Sequence, residues 1–250
     1  MCDIAIVAIG GKGTRLQSSM PGETGSKSFL TIAGRPALFW TLIELRAAGI
    51  RHLTLCGEDQ DLLLAGARIA GDLGYSGSRV NLFRDSGKGV HGIPGQLGGT
   101  PEQFFFVAGH ATVRSSHYGE LRSFAGSGQS VFSVFPIERV SDIRTRTLVK
   151  PTTSKIRFSA GMFSDTIPSD GVVLSFPYLL SDTYIPLLKQ HSWTIGDAVK
   201  DPEWERLSRY VLSSDLPEFD VPRDLTLYRQ WINARRLGAT MSRLRGKLVS

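Results

Sequence analysis

The segment 4–49 constrains the fold of this chain more than any other part of the sequence. It opens with the apolar run Ile4–Ile9, continues through the glycine-rich stretch GGKGTRL at 10–16, and closes with an amphipathic pattern that ends at Gly49. A wholly apolar strand is typical of the centre of a parallel sheet that is covered on both faces. Glycines after such a strand let backbone N–H groups approach anionic oxygens, so the segment predicts a phosphate-binding site at a sheet edge.

Two cations accompany the glycines. Arg15 lies within the loop, and Lys27 follows 12 residues later. A guanidinium binds several phosphate oxygens at once, whereas an ammonium acts as a point charge. The loop is not a Walker A motif and lacks the third glycine of a dinucleotide fingerprint. By itself, it is equally compatible with a tight turn that binds no ligand.

Alternating strand and helix patterns predict parallel strands joined by crossover helices. One helix is expected to begin at Pro36 and to end at Gly49. Further strands are predicted at His52–Leu55, Arg79–Phe83, Phe104–Ala108, Ser130–Pro136, Val172–Ser175 and Tyr210–Leu212, and further helices at Asp61–Leu73, near Tyr178–Gln190 and from Pro222 to Trp231. Arg146–Val149 and Lys155–Phe158, joined by KPTTS, predict a β-hairpin.

Composition restricts the classes of protein to consider. A chain of 250 residues with 41% hydrophobic side chains can bury a core without disulfides or metals. Cys2 and Cys56 have no paired spacing, which argues against a zinc site and favours a reducing, cytoplasmic compartment. The apolar run near the N-terminus is too short to span a membrane and has no basic segment before it, so no membrane partner is predicted.

The net charge of +6 is concentrated near the C-terminus. The segment 231–250 has no acidic residue and carries five of the positive charges, on Arg235, Arg236, Arg243, Arg245 and Lys247. We therefore predict a domain over 1–231 and a basic helix or tail over 232–250. Packing of this segment on the domain, or on a second subunit of a homo-oligomer, is favoured over membrane or nucleic-acid binding, since no aromatic-interleaved basic motif is present.

The order of motifs in 4–50 resembles the sugar-phosphate nucleotidyltransferases, which make nucleoside-diphosphate sugars. Their pattern is a glycine loop ending in G-T-R-L, then P-K-x-L, then a Gly-x-Pro step and a helix ending in Ala-Gly; here GGKGTRL, SKSFL and IAGRPALFWTLIELRAAGI follow in that order. Ser26 replaces the family's proline, and Ile9 replaces a small alanine. The resemblance implies an α/β fold with a mixed, mostly parallel sheet between helices, a Rossmann-like nucleotidyltransferase fold with a hairpin over the sugar site.

The resemblance also implies roles for individual residues. Arg15 and Lys27 would be catalytic, the first on the triphosphate and the second on the α-phosphate. GIPGQL at 92–97 resembles the G-T-x-G-A-L segment that closes over the nucleotide, although an ordinary glycine-proline loop explains it equally well. The implied nucleotide-binding residues are Gly10, Gly11, Gly13, Thr14, Gly92 and Gly95.

The implied metal site departs from the family pattern. Two aspartates normally hold Mg²⁺; Asp220 matches the second, but His110 occupies the position of the first. Three accounts stay open: phosphates, water and Asp220 hold Mg²⁺, or Mn²⁺ tolerates the imidazole, or the site binds substrates without turnover. For His110, a structural histidine bonded to backbone is an equal alternative.

The acceptor site departs as well. The family's E-K-P lysine would fall near 160–162, which holds no lysine, so Lys150 or Lys155 would have to compensate. Three functions follow from the sequence. The first is transfer of a nucleoside monophosphate from a nucleoside triphosphate to a phosphorylated sugar-like acceptor, with release of pyrophosphate. The second is a nucleotide- or sugar-nucleotide-binding protein without turnover, and the third is a nicotinamide-dependent oxidoreductase with Glu58 as the acidic residue after the second strand.

Overall fold

The computed structural model describes residues 2–10, 25–86, 90–97, 99, 101–137, 147–159, 171–213, 215 and 225–235. Within these residues a nine-stranded mixed sheet is flanked by helices on both faces. The predicted α/β class is therefore confirmed. None of the helices in these ranges is both long enough and apolar enough to cross a lipid bilayer.

The strands and helices alternate through the first half of the chain, as predicted. The strands are β1 Ile4–Ala8, β2 Thr31–Ile32, β3 Arg35–Pro36, β4 His52–Gly57, β5 Val80–Arg84, β6 Gln103–Ala108, β7 Ser130–Pro136, β8 Leu148–Val149, β9 Ile156–Phe158, β10 Val172–Ser181 and β11 Ser208–Leu212. The helices are α1 Ala37–Ala47, α2 Gln60–Asp72, α3 Ser115–Phe124, α4 Tyr184–Gln190, α5 Ile195–Ala198, α6 Pro202–Leu207 and α7 over 225–235.

The strand order of the sheet is β5-β4-β1-β6-β10-β7-β11-β9, with β8 paired to β10. Strands β5, β4, β1 and β6 are mutually parallel, whereas β10 runs antiparallel to both β6 and β7. The chain places β4 and β5 on one side of β1 and then crosses to add β6 on the other side. Such a change of direction opens a crevice at the carboxyl ends of the two strands, where ligands bind in open α/β sheets. The antiparallel neighbour of β6 distinguishes this sheet from the all-parallel dinucleotide-binding order.

The central strand β1 is buried on both faces. Ala5 and Val7 pack in the layer that contains α1, α2 and α3, whereas Ile6 and Ala8 pack in the layer that contains α4, α5 and α6. Burial on both faces explains why every residue of this strand is apolar, whereas a strand with one face in solvent would alternate apolar and polar residues. Helix α1 ends at Ala47, and Gly49 follows its C-terminus as predicted, with a φ of +79° that glycine readily adopts.

The predicted hairpin over 146–158 is wrong. Strand β8 pairs antiparallel with Val172 and Val173 at the start of β10, and β9 pairs parallel with β11. The first residues of β10 lie beyond the end of the ladder that β6 forms with Tyr178–Ser181, so this edge of β10 is open to β8. Each short apolar run thus pairs with a buried strand from a distant part of the chain.

The predicted helix near Tyr178–Gln190 is wrong in its first half. Strand β10 continues to Ser181, and α4 begins only at Tyr184. All ten residues of β10 are buried between neighbouring strands, and this burial outweighs the local pattern. Pro177 is tolerated because it lies at a shift of register between Leu174 and Tyr178, where the ladder with β7 is interrupted.

Helix α7 packs against the segment that follows the glycine loop. Its buried residues Leu225, Tyr228 and Ile232 form a third core cluster with Leu30, Ile32 and Ala37. The helix spans residue 231, at which the sequence predicts the passage from domain to tail, whereas 236–250 lie outside the described residues.

The end of α4 is joined to the start of α6 by a histidine–carboxylate pair. His191 Nε2 lies 2.8 Å from Asp201 Oδ2, and the other carboxylate oxygen accepts the N–H of Glu203. These two hydrogen bonds lower the pKa of Asp201 below its ordinary value of 3.8. A carboxyl group whose pKa is lowered by folding stabilises the protein above its unfolded pKa, and this stabilisation disappears as the pH falls through the folded value.

We predict that Asp201→Asn lowers the free energy of unfolding above about pH 5, and that its effect shrinks as the pH falls below about 4. Urea unfolding across this range would measure the difference from wild type. Asp197→Asn is the matched control, because the carboxylate of Asp197 is 57% exposed and its pair with Lys200 contributes little. An Asp201→Asn effect that does not vary with pH would contradict the prediction.

Candidate active site

The carboxyl ends of β1 and β4 approach each other closely at Gly10. A Cβ atom at this position would lie 3.0 Å from Gly57 Cα and 3.2 Å from the backbone nitrogen of Glu58. The backbone ladder extends past the strand ends, because Ile9 N–H donates to the carbonyl of Cys56 at 2.8 Å. A side chain at Gly10 would thus crowd the backbone of Gly57 and Glu58. The contact of Gly10 with a nucleotide stays a prediction.

Lys27 lies on a short 3₁₀ turn, Lys27–Phe29, that is fastened to the end of β1. The hydroxyl of Ser26 donates to the carbonyl of Ile9 at 2.5 Å and accepts the N–H of Ser28 at 3.3 Å. Ser26, where the resemblance expects a proline, therefore caps the turn and ties it to the central strand. Lys27 itself is only 7% exposed, so its side chain is packed within the protein at this end of β1.

The same turn also lies against the end of β6. Ser28 Oγ is 2.8 Å from the position that a Cβ atom on Gly109 would occupy, and Ile9 Cγ2 is 3.1 Å from it. Gly109 N–H donates to the carbonyl of Ala8, so β6 stays paired with β1 at this point. His110 follows directly, and the structure thereby brings Gly10, Lys27 and His110 to one edge of the sheet.

The segment that follows β6 is held by side chains from α1 and α7. The hydroxyl of Thr41 lies 3.1 Å from the carbonyl oxygen of Gly109 and 2.9 Å from Thr112 Oγ1. The phenol oxygen of Tyr228 accepts the N–H of Thr112 at 2.8 Å. Complete burial raises the pKa of Tyr228 well above its usual range, so this residue stays a neutral phenol.

Two carboxylates hold the residues just beyond. Glu44 accepts the N–H of Ser115 at 2.7 Å and forms an ion pair with Arg235 at 2.6 Å. Asp215, which is 2% exposed, binds both the N–H of Arg114 at 2.8 Å and its Nε at 2.7 Å. Asp215 and α7 lie on either side of the stretch 216–224 in sequence, and both contact the segment after β6.

Several predicted site residues lie outside the part of the chain that the structure describes: Gly11, Gly13, Thr14, Arg15 and Asp220. Their roles stay predictions. No three histidine, cysteine or carboxylate side chains among the described residues form a group that could hold a metal ion. The residues seen at this edge, with one imidazole at His110, do not by themselves fit a Mg²⁺ site, which would need the oxygens of Asp220 and of bound phosphates.

The loop at 90–97 is fastened to the carboxyl end of β5. Its two 3₁₀ turns are Val90–Gly92 and Pro94–Gln96. The amide of Gln96 donates to Asp85 Oδ1 at 2.9 Å and to the carbonyl of Gly92 at 3.2 Å, and its oxygen accepts from the backbone and hydroxyl of Ser86. The ring of His91 stacks on Phe176 of β10 with centroids 6.0 Å apart. Gly92 and Gly95 are therefore held near the carboxyl ends of the parallel strands, and their contact with a nucleotide stays a prediction.

The two lysines proposed to compensate for the missing acceptor lysine differ in their surroundings. Lys155 forms an ion pair with Glu205 at 3.3 Å. Lys150 follows β8 and borders a cavity of about 470 Å³ that is also lined by Trp204 and Tyr210. Lys150 is the better placed of the two for a ligand, and its role stays a prediction.

Sequence reasoning missed several residues that shape this edge. Thr41, Glu44, Asp215 and Tyr228 act through contacts with residues distant in sequence, and the indole of Trp193 packs against Gly95 of the loop at 90–97. Glu44 and Thr41 lie on predicted helix α1, where a polar residue among apolar ones could have marked a buried contact. For Tyr228 and Trp193 the sequence offers no such signal.

We predict that Gly109→Ala lowers the free energy of unfolding by about 1–3 kcal/mol, because the added methyl group overpacks the Lys27 turn. Chemical denaturation would measure the loss. Gly119→Ala is the control: it lies in α3 with no atom within 4 Å of the added Cβ and should stabilise the helix by about 0.5–1 kcal/mol. Equal effects of the two substitutions would count against this packing of the turn on β6.

Comparison with known proteins identifies the fold. No protein-family model matches the chain, and no curated protein shows significant similarity to it in sequence. Among solved structures, the inositol-1-phosphate CTP transferase from T. maritima superposes with a TM-score of 0.64 and 18% identity, over 89% of this chain and 91% of that chain. The chain therefore has a mixed, mostly parallel α/β sheet of the Rossmann-like nucleotidyltransferase fold.

Proposed function

We propose that this protein is a nucleotidyltransferase that moves a nucleoside monophosphate from a nucleoside triphosphate to a phosphorylated sugar or polyol and releases pyrophosphate. One observation carries the proposal. A largely buried lysine, Lys27, lies at the crevice between β1 and β6 in a fold shared with a transferase named for CTP and inositol 1-phosphate. Open α/β sheets bind their ligands at such crevices.

The proposed reaction needs little covalent chemistry from the protein. A phosphate oxygen of the acceptor attacks the α-phosphorus of the triphosphate and forms a new P–O bond. The bond between the α-phosphorus and the bridging oxygen breaks, and pyrophosphate leaves with the electron pair. Catalysis of such a transfer rests on positioning and on neutralisation of negative charge.

Lys27 is suited to neutralise that charge. Because the residue is only 7% exposed, its interaction with a phosphate oxygen would be weakly screened by water. The turn that carries it is fixed to both β1 and β6, so the backbone of Lys27 needs little reorganisation when charge develops. Arg15 would bind the triphosphate from the adjoining glycine loop.

Asp220 is the residue that would hold a divalent cation, which when bound would neutralise phosphate oxygens. Support comes from its neighbours in sequence, since Asp215 binds Arg114 and Tyr228 binds Thr112, both just beyond β6. The imidazole of His110 is a poor Mg²⁺ ligand and a better Mn²⁺ ligand. Activity should therefore be measured with each of these two metals.

We predict pyrophosphate release when the protein is given CTP and inositol 1-phosphate, or another pair from a panel of nucleoside triphosphates and sugar phosphates, with Mg²⁺ or Mn²⁺. Lys27→Ala should lower kcat/KM by about 100-fold to 1,000-fold, as expected for loss of one charge-stabilising donor. Lys189→Ala is the control, because that side chain is exposed on α4 and does not line the cavity beside Lys150. If the folded wild-type protein releases no pyrophosphate with any combination of nucleotide, acceptor and metal, the proposal is overturned.

A second function is favoured by His110 at the end of β6, where the resemblance expects a carboxylate. The protein would then bind nucleotides or nucleotide sugars without turning them over. Calorimetry should show saturable binding of a nucleoside triphosphate with no pyrophosphate released, and His110→Asp should restore turnover. Robust turnover by the wild-type protein would eliminate this alternative.

A further inference from the structure

The indole of Trp193 lies directly against Gly95 in the loop at 90–97. A Cβ atom on Gly95 would be 1.9 Å from Trp193 Cη2, 2.6 Å from Cζ2 and 2.7 Å from Cζ3. Only a glycine fits there while the indole keeps its place. The requirement for glycine at this position is therefore explained by a protein side chain, without a nucleotide.

Trp193 reaches this position through an unfavourable backbone. Ser192 and Trp193 have φ values of +51° and +64°, in the left-handed region that bulky residues rarely adopt. The conformation is fixed at the end of α4, where Trp193 N–H donates to the carbonyl of Leu188 at 2.7 Å. The adjacent His191 is in turn joined to Asp201 of α6. A strained conformation that is this strongly constrained often marks a position with a functional role.

The loop is thereby held from two sides. On one side Gln96 bonds to Asp85 and Ser86 after β5, and on the other the indole of Trp193 limits how far Gly95 can move toward α4. Between these contacts Ile93 is 3% exposed and anchors the loop in the core. The position of the loop relative to the crevice is consequently set by Trp193 as much as by the loop's own sequence.

We propose that Trp193 is a positioning residue that acts through Gly95 to set the geometry of the loop 92–97, and so determines which nucleotide base is accepted. The proposal rests on the proposed function and on the role that the resemblance of GIPGQL to G-T-x-G-A-L implies for this loop, which is to close over the nucleotide. Trp193 does not itself touch the reacting atoms. Its effect should fall on nucleotide affinity and base selectivity, with kcat little changed.

A double-mutant cycle tests the proposal. Gly95→Ala pushes on the indole and should raise the KM for the preferred nucleotide by about 10-fold and alter the ratio of kcat/KM among CTP, UTP, GTP and ATP. Trp193→Ala should shift the same ratio, and Trp193→Phe should recover most of it. Trp193→Ala removes the indole and leaves space for the methyl group that Gly95→Ala adds. The double variant should therefore have nearly the same KM and midpoint of thermal unfolding as Trp193→Ala alone.

Phe124→Ala is the matched control, because Phe124 is another partly buried aromatic residue and lies at the end of α3, under Arg157 and Arg209, on the opposite face of the sheet from the loop. It should lower the midpoint of thermal unfolding without changing base selectivity. Equal selectivity changes in Trp193→Ala and Phe124→Ala would overturn the positioning role. So would a Gly95→Ala defect that persists in the Trp193→Ala background, because the nucleotide itself would then require the glycine.

The test separates this inference from the proposed function. If calorimetry shows that the wild-type protein binds no nucleoside triphosphate, the proposed function fails. If the protein binds and turns over nucleotides but Trp193→Ala keeps the wild-type selectivity, only the role of Trp193 is overturned. The coupling between the indole and the loop would be established by two results together. The double variant would lose no more thermal stability than Trp193→Ala alone, and Trp193→Ala would have altered base selectivity.

Discussion

The hydrogen bond from the Ser26 hydroxyl to the carbonyl of Ile9 is the contact on which the candidate site depends. It fixes a short turn at the end of the central strand, and Ser28 on the same turn lies against Gly109 at the end of β6. Lys27 is thus held, nearly buried, at the carboxyl ends of two neighbouring parallel strands. Because cation and crevice are positioned by one rigid turn, the site can be preorganised for an anionic ligand.

A second set of contacts brings distant parts of the chain to the same edge. The residues that follow β6 are held by Thr41 and Glu44 of α1, by Asp215 and by Tyr228 of α7. Arg235 of α7 forms an ion pair with Glu44. These polar groups are buried or partly buried, and each has a hydrogen-bond or ionic partner, as buried polar groups require. The C-terminal helix is therefore an integral part of the site's support.

Glycines near a strand end have two physical explanations, and this structure separates them. A glycine can admit a phosphate, or it can admit a neighbouring part of the protein. Gly10 faces Gly57, Gly95 faces Trp193, and Gly109 faces Ser28, so at each of these three positions a Cβ atom would crowd a neighbouring part of the protein. A phosphate role for Gly11 and Gly13 rests on the resemblance, since both lie outside the described residues.

The sequence by itself determined the parallel half of the sheet, from the apolar run of β1 to the strand that ends at Ala108. Local periodicity, Pro36 before α1 and Gly49 after it were sufficient, because those signals act within a few residues. It also placed Lys27 and His110 after the correct strands. Only the tertiary structure decided that β10 continues through Pro177, that β8 and β9 pair with distant strands, and that Trp193 packs on Gly95. Those outcomes depend on burial between residues far apart in sequence, which no local pattern records.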